Sequence, residues 1–168
     1  MPHRKTQIHL KQQIHQRLDG AQKIAVLGIG SDMLSDDAAG LLAAQEIAKP
    51  RAAAEEKASK IKVFLGGACP ENLTGEILKF APTHIVIIDA ADFKKEAGHT
   101  ALIDPKDIDG VSFSTHRLPT KILVDYLVKS CGAAVIIIGI QPQNLSFNGM
   151  VSPAVKSAAK KLAGMLSY

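Results

Sequence analysis

Tryptophan is absent from the 168-residue chain, and aromatic side chains of all kinds make up 4 % of it. Single-stranded nucleic acids are bound largely by stacking bases on aromatic side chains, so the shortage argues against a nucleic-acid partner. It also leaves the core to Ile, Val, Leu and Ala. Two cysteines, Cys69 and Cys131, are too few for a disulfide framework, and reduced thiols in a cytoplasmic protein are the expectation. Long apolar runs are missing as well. Ile85–Ile88 and Ala133–Ile138 fall far short of the ~20 residues that span a bilayer. The basic N-terminus lacks the apolar stretch of a secretory signal. Membrane insertion is therefore not expected.

What remains is an ordinary globular mixture, 46 % apolar and 21 % charged. The net charge is +4, and +3 of it lies in the first twenty residues, where Arg4, Lys5, Lys11 and Arg17 outweigh Asp19. In that segment Leu10, Ile14 and Leu18 stand four apart and form one helical stripe. Residues 1–20 are read as a basic helical extension, solvated or touching an acidic partner surface, with an apolar stripe that could pack on the domain or contact the substrate. Residues 21–168 are read as the functional domain, acting as a monomer.

Ile24–Leu27, His84–Ile88 and Ala134–Ile138 are continuous apolar runs, the pattern of parallel strands covered on both faces. Ile61–Leu65 alternates and reads as a strand nearer an edge. A fifth strand is expected around His99–Ile103, and a short extended piece at Val111–Ser114. Helical spacing falls between the runs, over Asp37–Ala48, Glu71–Phe80, Pro119–Lys129 and Ser152–Leu166. Asn72 is a candidate cap of the second, and Ser152 with Pro153 the start of the last. The alternation predicts one three-layer α/β domain, a mostly parallel five-stranded sheet with helices on both faces.

In open α/β sheets, sites form beyond the carboxyl ends of the strands. There the chain places Asp32, Asp36 and Asp37, then Gly66-Gly67-Ala68-Cys69, then Asp89 and Asp92, and Ser114-Thr115-His116 before a helix. Gly28-Ile29-Gly30 resembles a dinucleotide fingerprint but lacks the third glycine. Its carboxylates would also compete with a phosphate at the helix start. A Mg²⁺-dependent phosphoacceptor would use Asp36, Asp37 and Asp89, but no lysine follows the last strand, where Gln141-Pro142 stands instead. A Cys69–His116 nucleophile pair has no local cation to lower the thiol pKa. Two carboxylates and an imidazole, Asp37, Asp89 and His116, suit a first-row divalent ion such as Zn²⁺ or Ni²⁺ with a position left open. The alternative is that Asp37 only starts a helix and Asp89 only caps a loop.

Around these residues the sequence resembles the hydrogenase maturation endopeptidases, and among them the HycI-type branch. The matching stretches, in order, are Leu27–Gly40, Gly66–Asn72, Ile87–Asp92, Ile103–Asp107, Ser114–His116 and Gly139–Pro142. The resemblance does not cover the first twenty residues. It implies a phosphorylase/hydrolase-like fold and a peptidase that removes the C-terminal extension of a [NiFe] hydrogenase large-subunit precursor after nickel insertion. Asp37, Asp89 and His116 then correspond to the family's metal site, with nickel carried by the substrate and zinc or another divalent ion able to occupy it. Gly66 and Gly67 are expected to shape the groove for the peptide tail. Cys69 departs from the small polar residue expected in that loop. A non-catalytic, chaperone-like binder of the immature subunit is the alternative from another functional class.

Overall fold

The computed structural model describes residues 2–50, 60–110, 112–113 and 120–166. The chain runs α1 (Pro2–Arg17), β1 (Ile24–Ile29), α2 (Ala39–Ala48), β2 (Ile61–Gly67), α3 (Thr74–Phe80), β3 (His84–Asp92), β4 (Thr100–Ile103), β5 (Ser112–Phe113), α4 (Thr120–Cys131), β6 (Ala134–Ile140) and α5 (Pro153–Leu166). Short 3₁₀ turns precede α2 and α3, at Ser35–Ala38 and Pro70–Leu73.

Five strands order as β2–β1–β3–β6–β4. The first four are parallel, and β4 closes one edge antiparallel to β6. The two-residue β5 pairs antiparallel with Ala91 and Asp92 at the end of β3. This is the mostly parallel five-stranded sheet that the apolar runs predict. Alternate residues of each strand feed opposite faces. Ile24 and Val26 of β1, with Val86 and Ile88 of β3, pack under α1, α2 and α5. Ala25, Leu27 and Ile29, with Ile85 and Ile87, pack under α3 and α4. β2 lies at the other edge, and of its seven residues only Phe64 is buried, which explains its alternating sequence.

The structure moves three boundaries. β3 continues past Ile88 to Asp92, because β6 and β5 still pair with it after β1 stops at the Gly28–Ile88 register. Asp89 therefore lies within the strand rather than after it. α2 begins at Ala39, two residues after Asp37, and no side chain caps it. Asn72 is inside the 3₁₀ turn, and α3 likewise has no side-chain cap. Ser152 does cap α5, its hydroxyl accepting the Val155 N–H at 3.4 Å.

The N-terminal stripe packs on the domain, the first of its two expected roles. Leu10, Ile14 and Leu18 belong to the core cluster shared with α5, with Ile14 fully buried. His15 Nε2 meets the Met165 carbonyl at 2.8 Å. Burying three such side chains is worth roughly 5–9 kcal/mol, as much as a whole domain's net stability. From residue 8 on, the other side chains of the helix are exposed or half-buried.

Candidate functional site

The carboxyl end of the sheet is shaped first by glycine. A Cβ on Gly40 would collide with the carbonyl oxygens of Ile29 and Ile88. One on Gly30 would collide with the Asp37 carbonyl, and one on Gly28 would lie 2.6 Å from the Gly40 oxygen. Strands β1 and β3 and the start of α2 thus meet main chain to main chain. Gly28 and Gly30 serve this close approach, which accounts for a glycine pair that resembles a nucleotide fingerprint.

The approach sets Asp37 and Asp89 at one end of the sheet. The Ser35–Ala38 turn packs on β3, and Asp89 directly follows the Ile88 carbonyl that Gly40 touches. Asp37 is 2 % exposed and Asp89 fully buried. Asp37 Oδ2 accepts the Ser31 N–H at 2.7 Å. Its Oδ1 is buried and has no hydrogen-bond partner among the described residues. No Lys or Arg pairs with Asp37 among those residues either. Asp89 Oδ1 accepts the Ala90 N–H at 2.8 Å. A buried carboxylate oxygen without a donor is costly, so Asp37 is arranged for something other than stability.

His116, the third predicted ligand, lies outside the described residues, between β5 and α4. Among the described residues no group of three or more His, Cys, Asp or Glu is placed to hold a metal. Gly66 and Gly67 end β2 beside this site. Gly67 accepts the Gly30 N–H at 2.9 Å, and a Cβ on Gly66 would lie 3.0 Å from the Gly28 oxygen. Cys69 is a half-buried free thiol on the following loop.

Two residues act here without having been singled out for the site. Asp36 is fully buried and saturated. Its Oδ2 accepts the N–H groups of Gln143 (2.8 Å) and Asn144 (3.1 Å), and its Oδ1 that of Ser152 (2.6 Å). Its own N–H donates to the Asn144 carbonyl at 3.0 Å. Gln141 ties down the loop after β3. Its Oε1 accepts the Phe93 N–H at 2.7 Å, and its Nε2 donates to Asp92 Oδ1 at 3.1 Å. Lys94 pairs with Asp92 at 2.9 Å. The Lys94 side-chain and backbone donors, then the Gln141 amide, hold the Asp92 carboxyl down at about 2. A separate cavity of about 430 Å³ lies between the loop after β3, α5 and Leu10. Neither Asp37 nor Asp89 lines it, so its size does not bear on the chemistry of the carboxylates.

The sequence profile of the hydrogenase maturation proteases matches residues 43–167. A Methanocaldococcus jannaschii protein named as a hydrogenase maturation protease is 33 % identical over 159 residues, covering 94 % of each chain. The hydrogenase 3 maturation protease of Escherichia coli is 35 % identical over 136 residues, 80 % of this chain and 83 % of that one. The crystal structure of the [NiFe] hydrogenase maturation protease HycI from Thermococcus kodakarensis superposes with a TM-score of 0.80 at 29 % identity, covering 91 % of this chain and 95 % of that one.

Proposed function

This chain belongs to the hydrogenase maturation protease family, and from that premise we propose that it removes the C-terminal extension of a nickel-loaded [NiFe] hydrogenase large-subunit precursor in the cytoplasm. Two free thiols suit that reducing compartment, and no helix among the described residues is long and apolar enough to cross a membrane. The observation that carries the site assignment is the buried Asp37 Oδ1 without a hydrogen-bond donor among those residues.

A divalent ion fits this donor set. Carboxylates from Asp37 and Asp89 with an imidazole from His116 suit Ni²⁺ or Zn²⁺. In this proposal the nickel is the substrate's cargo, and the three residues sense that it has been delivered. Such an ion supplies Lewis acidity toward the scissile carbonyl. The chain's own residues do the remaining work. The Ser31 N–H fixes one oxygen of Asp37 and leaves the other to bind the ion or take a proton from water. Asp89 is oriented by the Ala90 N–H. Gly66 and Gly67 let the tail's main chain approach β1 and β2.

The test is the mass of a nickel-loaded precursor before and after incubation with the protein. A shortened product is expected with nickel and an unchanged mass without it. An unshortened nickel-loaded precursor would rule out the activity. Normal cleavage by both Asp37→Ala and His116→Ala would rule out the site.

A further inference from the structure

Beside the carboxylates the protein exposes apolar side chains on two interlocked loops. Phe147 is 63 % and Met150 87 % exposed, and Leu145 and Met33 are also open to solvent. The loops are joined main chain to main chain. The Asn148 N–H donates to the Met33 carbonyl at 2.8 Å, and the Asp36 N–H to that of Asn144 at 3.0 Å. Ser35 Oγ donates to the Ser146 carbonyl at 3.1 Å. Asp36 clamps the same loop from beneath through three N–H groups. Residues 141–152 contain no Asp, Glu, Lys or Arg, in a chain that is 21 % charged.

Leu145, Phe147 and Met150 are held out on an uncharged loop, and Met33 beside them on the loop that carries Asp32; the first three have the make-up of an interface core, where charge is depleted and Met and aromatics are enriched. A loop already ordered loses little entropy when it is covered. We infer that Met33, Leu145, Phe147 and Met150 form a docking patch that grips an apolar surface of the folded substrate protein next to its scissile tail. The inference rests on the proposed precursor cleavage. Position argues for this occupant, since the patch shares its two loops with Asp36 and Asp37 and is continuous with the proposed site. Area argues against a second copy of this chain. Four side chains fall well short of the ~800 Å² per partner that a stable interface buries, but suffice as an annex to a cleft that already holds the tail.

The test measures affinity for the nickel-loaded precursor in an Asp89→Asn background that arrests cleavage. Phe147→Ser with Met150→Ser should raise Kd about tenfold or more, and Ile122→Ser with Tyr126→Ser, on the exposed face of α4, should change it less than about twofold. A Kd unmoved by the first pair overturns the patch. So does sedimentation of the unaltered protein as a dimer that this pair converts to monomer. If the pair lowers the thermal midpoint, the single Met33→Gln variant decides by the same criterion. Tight binding of the precursor by an unaltered protein that never shortens it would overturn the peptidase proposal and leave the patch standing.

Discussion

Asp36 and Asp37 are adjacent in the chain, and both are buried, yet they belong to regions built on opposite terms. Asp36 sits under the loop before α5, with both its oxygens filled by backbone donors. Asp37 has one oxygen filled by Ser31 and the other without a donor among the described residues. The difference separates a carboxylate that holds the fold from one that holds reactivity in reserve. Burial alone would not tell them apart. The accounting of lone pairs does.

That contrast breaks most decisively through Asp37. Asp37→Asn is expected to lower precursor processing by about 10³-fold, read from the rate of product appearance. The same variant should keep its unfolding free energy within about 1 kcal/mol, because little of that side chain's bonding stabilises the fold. Equal losses of stability and activity would erase the distinction. Asp36→Ala is the mirror experiment. Three buried N–H groups lose a charged acceptor, and urea unfolding should show a loss of about 3 kcal/mol.

Gly149→Ala tests the lock around Asp36 from above. A Cβ there would collide with Ser35 Oγ and come within 2.8 Å of Ser146 Oγ. Prising the two loops apart should cost about 1–2 kcal/mol, with the thermal midpoint as the measure. A neutral outcome would mean that the loops yield and Asp36 alone holds them.

The smallest effect belongs to a third carboxylate, Asp92, whose ion-pair partner Lys94 lies at the surface. Its pKa in the folded protein is held at about 2, below the ordinary 3.8, chiefly by the Lys94 side chain. A lowered folded-state value contributes stability that is fully present above the unfolded value. It is lost as pH falls from about 4 through about 2. Lys94→Ala should move the Asp92 carboxyl resonance midpoint up toward 3.8 and weaken the fold only above the folded-state value, most fully once pH exceeds about 4. A surface ion pair warrants no larger expectation.

Much of this architecture can be read from the chain because its signals are local. Helices on both faces force β1, β3 and β6 into unbroken apolar runs, and edge exposure forces β2 to alternate. Position after those runs is enough to nominate Asp36, Asp37 and Asp89. What escapes is whatever depends on distant partners. The donors to Asp36 come from residues 107 to 116 positions away, so the sequence offers no means of ranking it apart from Asp37. The Leu10/Ile14/Leu18 stripe is legible as an apolar face, but what covers it is α5, from the far end of the chain, as the His15–Met165 contact shows. β3 outruns its apolar run because β5 and β6 extend the pairing. His116 is nominated by its place before a helix and by the family resemblance, and it lies outside the described residues.

The glycine contacts carry a consequence for divergence. Where β1, β3 and the start of α2 touch through Gly28, Gly30 and Gly40, no rotamer intervenes between them. Core side chains elsewhere can be exchanged, and their layers can swell or shrink, without this junction registering the change. The gauge between the backbones carrying Asp37 and Asp89 is thereby insulated from mutational drift in both hydrophobic layers.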